Sequence, residues 1–381
     1  MRNRYLDLLR AVAVVRVVLY HVTGLPALTI AFPAMSVMFA LGGSMMAASL
    51  DRTGPFAVER RLRRLLPSLW VISAIAVPAM MIDGLAWDWR LLMWFFPLQD
   101  PPAGGPWLEA LSAMWYLRDF LWFVLLSPVL LPIYRRFPLI TIATPYVALV
   151  VTTVAGVTPQ SPLLRDMALY GGAWLIGFAH HDGKLRDRRL LWVAGAVALA
   201  AALWVVTHPG PRGYDLNDIP LGNAFWSLAL ILLLLRISPS IPAWRPVTVL
   251  NARALTIYLW HVPIIVAMTH AGENAGWPIR GLTGDAWRLV VVVSLLALVT
   301  LAVGWVEDLA AGRRAVLVPA NVVPKGQGDR PDVHAGAGPS HVLRTRVRQH
   351  SRRVAHLGGH PADRQEDRPQ EVSASARAAA G

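Results

Sequence analysis

Leu289-Val290-Val291-Val292-Val293-Ser294-Leu295-Leu296-Ala297-Leu298-Val299-Thr300-Leu301-Ala302-Val303-Gly304-Trp305-Val306 runs without one charged side chain. A helix needs roughly 20 apolar residues to cross the hydrocarbon core of a bilayer. A water-soluble helix would break such a run with a polar face at every turn. Leu190 to Val206 and Leu221 to Leu235 repeat the pattern. Of the whole chain, 55% is hydrophobic and only 15% charged, where a soluble domain carries about 25%. These runs predict an all-α, polytopic integral membrane protein.

Extending the same reading along the chain predicts ten spans, near 5–23, 30–50, 66–82, 115–133, 139–157, 167–180, 190–207, 221–236, 249–269 and 288–308. The sixth is the shortest. Its Tyr170-Gly171-Gly172 and Trp174 suggest a tilted or broken segment. The opening Met1-Arg2-Asn3-Arg4 resembles a signal peptide only superficially. Arg10 and Arg16 interrupt the apolar region, and no small-residue cleavage site follows His21. It reads as an uncleaved first span.

The formal charge of +13 does not indicate nucleic acid, because the cations cluster in short segments between apolar runs. Arg60, Arg61, Arg63 and Arg64, then Arg135 and Arg136, then Lys184, Arg186, Arg188 and Arg189 fall on one side of the expected topology, with Arg313 and Arg314 at the end. That bias places both ends in the cytoplasm. Lys184 and Lys325 are the only lysines among many arginines, which fits a bacterial plasma membrane protein. No cysteine is present, which excludes thiol catalysis, thiolate metal sites and disulfides. The domain reading is a transmembrane region over 1–312 and a disordered tail, rich in Arg, Pro, Gly and His, over 313–381. The irregular spacing of the tail's histidines gives no metal site, and no cofactor is expected to be tightly bound.

Ionisable groups inside spans are costly and mark candidate sites. The first span holds Asp7, Arg10, Arg16 and His21. The eleven steps from Arg10 to His21 return to within about 20° of one face and rise about 16 Å. One polar face therefore reaches across much of the bilayer. A neutral imidazole can take a proton from a hydroxyl, and an arginine below it can hold an anionic donor. The same residues admit a plainer reading, with Asp7 and Arg10 paired and His21 an interfacial anchor. Arg16 lies deep on another face and has no evident partner, Asp119 being the one candidate. Arg60 and Arg63 read either as a topology signal or as a phosphate cradle. Trp115, Tyr116, Tyr258 and His261 read either as packing groups or as a surface for a sugar-like acceptor.

Together these segments resemble the membrane acyltransferase family 3, bacterial integral membrane O-acyltransferases. Leu6-Asp7-Leu8-Leu9-Arg10-Ala11 followed by Tyr20-His21 is similar to that family's first-helix pattern. The Arg60/Arg63 run before Leu66-Pro67, the Trp115-Tyr116-Leu117 segment and Ile257-Tyr258-Leu259-Trp260-His261 are similar to three others, in the same order. The resemblance implies His21 as the catalytic residue with Arg10 in support. It implies Arg60 and Arg63 at the acyl-CoA co-substrate, acetyl-CoA above all, and a hydroxyl of an extracytoplasmic glycan, glycoside or small molecule as acceptor. Two positions depart from the pattern: Phe39-Ala40-Leu41-Gly42-Gly43-Ser44 lacks the usual serine before glycine, and Arg16 stands where an apolar residue is expected. The competing function class is a transporter of a small polar solute, against which no repeated halves are found.

Overall fold

The computed structural model describes residues 3–157, 159–279 and 281–319. Every named element among them is helical: α1 (Arg4–Thr23), α2 (Ala27–Ala31), α3 (Ala34–Thr53), α4 (Phe56–Ile82), α5 (Trp107–Ala110), α6 (Met114–Arg136), α7 (Pro138–Val154), α8 (Pro162–His181), α9 (Arg189–Thr207), α10 (Pro220–Leu234), α11 (Arg245–Ala252), α12 (Ala254–Ala275), α13 (Gly281–Val303) and α14 (Trp305–Ala310). Local chemistry sets the ends of α1. Asn3 accepts from the amides of Tyr5 and Leu6 through its side chain, and Gly24, at φ 64°, closes the helix by donating to Tyr20 O. Proline opens α7, α8 and α10, where its missing N–H leaves no orphan donor.

Each of the ten apolar stretches is helical. Among the described residues, six segments are long and apolar enough to cross a membrane: Ala27–Thr53, α4, α6, α9, α12 and α13; α7 and α10 are apolar but shorter. The boundaries differ from expectation in informative places. α4 begins at Phe56, ten residues early, so the arginine run lies on a helix and not in a loop. The ninth stretch is divided at Arg253 into α11 and α12, and the tenth at Gly304 into α13 and α14. The sixth is neither short nor broken; α8 runs unbroken for 20 residues. Of the expected tail, residues 313–319 are described, and those from 320 lie outside the described residues, as does Arg280.

α3 and α8 form the centre and pack most extensively on each other. Small residues make this possible. A Cβ on Gly43 would stand 2.1 Å from Trp174 O, and one on Gly177 would stand 2.2 Å from Ala40 O. The two backbones therefore touch. Ser44 and His180 bond across the same crossing, Oγ to Nδ1 at 2.8 Å. Phe39 of α3 then meets Tyr170 of α8 and Tyr116 and Phe123 of α6, with ring centroids 4.8–5.3 Å apart. Of the glycines of α8 that suggest a break, Gly172 serves close packing on α7, where a Cβ would stand 2.3 Å from the Tyr146 ring. α9 and α13 lie at the periphery, with three buried residues each.

Two buried arginines tie the bundle together. Arg118, at the start of α6, donates to Asp119 Oδ1 at 2.8 Å and to Asp166 Oδ2 of α8 at 2.5 Å, and also bonds Asp100. Arg253, wholly buried between α11 and α12, donates to Asp308 Oδ2 at 2.7 Å and Val316 O at 2.6 Å. Nearby, Glu307 Oε1 accepts from the Thr256 amide and hydroxyl at 2.8 and 2.6 Å.

Gly177→Ala is expected to destabilise the protein by about 1–3 kcal/mol through overpacking, read as a lower thermal midpoint in detergent. Gly195→Ala, whose Cβ would meet nothing within 4 Å, is expected to stay within about 0.5 kcal/mol; equal effects at the two sites would refute the backbone contact. Arg118→Met strands Asp119 and Asp166 without their countercharge and is expected to cost about 3–5 kcal/mol. Adding Asp119→Asn and Asp166→Asn should recover part of that loss. A triple variant no better than the single one would show that charge burial is not the cause.

Candidate functional site

The eleven-residue spacing on α1 places Arg10 toward its first half and His21 at its last turn. His21 is exposed, and its ring environment assigns its protons. Nδ1 lies 2.9 Å from Val17 O, which can only accept, so Nδ1 carries the hydrogen. Behind it stands His261 of α12, wholly buried, with ring centroids 4.8 Å apart and edge-to-face. Nδ1 of His261 lies 2.6 Å from Tyr258 O, so it too is a donor. Its bare Nε2 then faces His21 Nδ1 at 3.4 Å. Both imidazoles are thereby held in the Nδ1–H form, and the lone pair of His21 sits on Nε2, turned away from the protein partners. That is the form of a general base.

From His261 a series of rings leads toward Arg10. Tyr258 lies 5.4 Å from His261 and 5.0 Å from Tyr116. Arg10 and Arg61 both lie within electrostatic range of Tyr116. Tyr258 is fixed by donating its hydroxyl to Ala113 O at 2.6 Å. Arg10 donates to Met45 Sδ of α3 at 2.8 Å. Four of the residues singled out in the sequence, Tyr116, Tyr258, His261 and His21, thus form one contiguous group, with Arg10 at its far end. Trp115 is half-buried beside it and stacks on Tyr170 at 5.3 Å.

The arginine run divides differently from expectation. Arg60 is exposed, and Arg63 is exposed and paired with Glu59 at 2.5 Å. Arg61, which sequence reasoning passes over, turns inward to the neighbourhood of Arg10, Arg52 and Arg64. Helical geometry carries the signal: at about 100° per residue the four arginines of Arg60-Arg61-x-Arg63-Arg64 span an arc of about 160°, with Arg61 at one edge, next to the face that packs on the bundle.

Arg16 does not pair with Asp119. Its Nε donates to Leu28 O at 2.9 Å, and its guanidinium stacks over Tyr20 at 5.0 Å. Tyr20, edge-on to His21 at 5.4 Å, donates to the fully buried Asp215 at 2.6 Å and accepts from Arg212 at 2.8 Å. The loop between α9 and α10 is therefore drawn onto the His21 end of α1. Within that loop the Arg212 guanidinium holds the Asp218 carboxyl below its usual range. Sequence reasoning finds neither Arg212 nor Asp215 as a partner of Tyr20, since these contacts join positions almost 200 residues apart. At the opposite end, Asp51, His181 and Asp182 lie close enough to suggest a cation site, but Arg135 bridges the two carboxylates at 2.8 Å and supplies the positive charge itself.

Comparison with family models matches residues 3–306 to the Acyltransferase domain of acyltransferase family 3. Neither the curated proteins nor the solved structures gave a match. The family match takes in α1 with its Arg10 and His21, the arginine run and the Tyr258–His261 pair, and spans most of the 381 residues. The chain belongs to this family and is a membrane acyltransferase.

Proposed function

We propose that the protein moves a short acyl group, acetyl in the first instance, from acyl-CoA to a hydroxyl of a glycan, glycoside or small molecule outside a bacterial plasma membrane. The chain crosses ten times with both termini in the cytoplasm, in keeping with the distribution of its arginines. The observation that carries this reading is the line from Arg10 and Arg61 through Tyr116, Tyr258 and His261 to Nε2 of His21, which has no hydrogen-bond partner among the described residues. Cations stand at one end and a proton acceptor at the other.

Arg10 and Arg61 hold the anionic phosphates of the donor. The thioester carbonyl comes to His21, where the acceptor hydroxyl gives its proton to Nε2 as its oxygen attacks the carbonyl carbon. The tetrahedral intermediate collapses, the C–S bond breaks, and the thiolate takes the proton back from His21. His261 acts as a positioning residue, because its Nε2 accepts from Nδ1 of His21 and keeps the lone pair on the reacting side. Arg60 and Arg63 contribute only to the charge around the entrance.

The test uses purified protein in nanodiscs with labelled acetyl-CoA and a panel of glycoside acceptors. His21→Ala is expected to lower transfer by about 10²–10⁴. Arg61→Gln should raise the donor KM by about tenfold, and Arg63→Gln by no more than about twofold. Transfer at the wild-type rate in His21→Ala, at equal folded protein, would rule the mechanism out.

A further inference from the structure

Three arginines are buried among the described residues: Arg16, Arg118 and Arg253. Arg118 and Arg253 each have a carboxylate within ion-pair distance. Arg16, 8% exposed, has none. A buried cation is costly when left without an anion, and one that serves only structure would be expected to resemble the other two. Arg16 spends Nε on Leu28 O, and its two Nη groups have no hydrogen-bond partner among the described residues. They border a small pocket with Ser36, Tyr170, Asn217 and Asn223. The Ser36 hydroxyl also has no partner among the described residues, and Asn223 uses only its Oδ1, which accepts from Ser227 at 3.0 Å. Asp215 lies within electrostatic range of Arg16. Its oxygens are already taken by Tyr20, the Asn217 amide and Arg212, the last at 3.4 Å. The pocket is thus lined by unfilled donors and no carboxylate. Its space is about 10 Å³, room for one water-sized group and so for the tip of an oxyanion.

We infer that Arg16, with Ser36 and Asn223, binds an oxyanion carried on the acyl acceptor, a carboxylate or phosphate substituent, and so selects anionic over neutral hydroxyl compounds. The inference rests on the acyl-transfer reading above and names the acceptor class for it. Tyr20 touches both Arg16 and His21, so a substituent held at Arg16 leaves the remainder of the acceptor next to the base.

The test compares methyl glucuronide with methyl glucoside as matched probes, on wild type, Arg16→Met and Arg16→Lys in phosphatidylcholine nanodiscs. Two quantities are read: the thermal midpoint with each probe, and acetyl transfer to each. In wild type the glucuronide is expected to raise the midpoint and to be acylated with about tenfold higher kcat/KM than the glucoside. Both preferences should vanish in Arg16→Met and persist in part in Arg16→Lys. Transfer that ignores the carboxylate, or a preference unchanged in Arg16→Met, overturns the anion site and leaves acyl transfer standing. Glucuronide binding through Arg16 with no acyl transfer to any acceptor overturns acyl transfer and leaves the anion site. A midpoint raised by phosphatidylglycerol in the disc, and not by the glucuronide, assigns the pocket to a lipid headgroup and overturns the acceptor assignment. If Arg16→Met fails to fold, the wild-type preference and its partial retention in Arg16→Lys decide.

Discussion

Gly43 and Gly177 leave no side chain between the backbones of α3 and α8, and that contact sets the depth of everything around it. With the helices touching, Phe39 and Tyr170 meet at 5.0 Å and present one aromatic surface. α6 docks on that surface through Tyr116 and Phe123. Tyr116 in turn receives Tyr258 of α12, and His261, one turn further along, is brought behind His21. Dispersion between packed rings is small per atom and falls steeply with distance. A shift of α3 against α8 would therefore be felt along this whole series. The missing serine in Phe39–Ser44 fits the same account, since a Cβ at Gly42 would stand 2.7 Å from the Trp174 ring and 2.8 Å from the Phe120 ring.

The second constraint is the scarcity of water inside the bundle, where polar groups must be satisfied internally. Arg118 gathers carboxylates from α6 and α8 and from the segment before α5. Arg253 ties α12 to α14 through Asp308. A Cβ at Gly304 would fall 2.7 Å from Arg253 Cδ, so the break between α13 and α14 is also where the arginine needs space. Asp119 keeps one buried oxygen without a partner; nothing in the structure accounts for it.

Much of this is legible because helical periodicity is local. The apolar runs mark every long helix, and the eleven-residue spacing places Arg10 and His21 on one face. What escapes the sequence depends on chain segments far apart. Leu28 O, the partner of Arg16, is a backbone atom beyond the turn at Gly24, and no residue identity announces it. Arg118 and Asp119 are sequence neighbours and do not face each other on a helix; they meet only because the long guanidinium folds back while its other end reaches Asp166. The charge of the arginine run points to a loop, although its pattern suits a helix equally. Without the helical placement, Arg61 cannot be told from Arg60 and Arg63.

α1 consequently carries two kinds of chemistry on different faces. One face holds Arg10, which meets α3 at Met45, and His21, which meets α12 at His261; the other holds Arg16 and meets α2 at Leu28. Tyr20 joins them, stacked under the guanidinium of Arg16 and edge-on to His21. It is pinned by Asp215 and Arg212 from the loop before α10. Because His21 and Arg16 share one capped helix, their separation is set by backbone geometry and not by loop motion. The loop bearing Arg212 and Asp215 acts differently. It fixes the Tyr20 ring, which stands between the Arg16 guanidinium and the His21 imidazole.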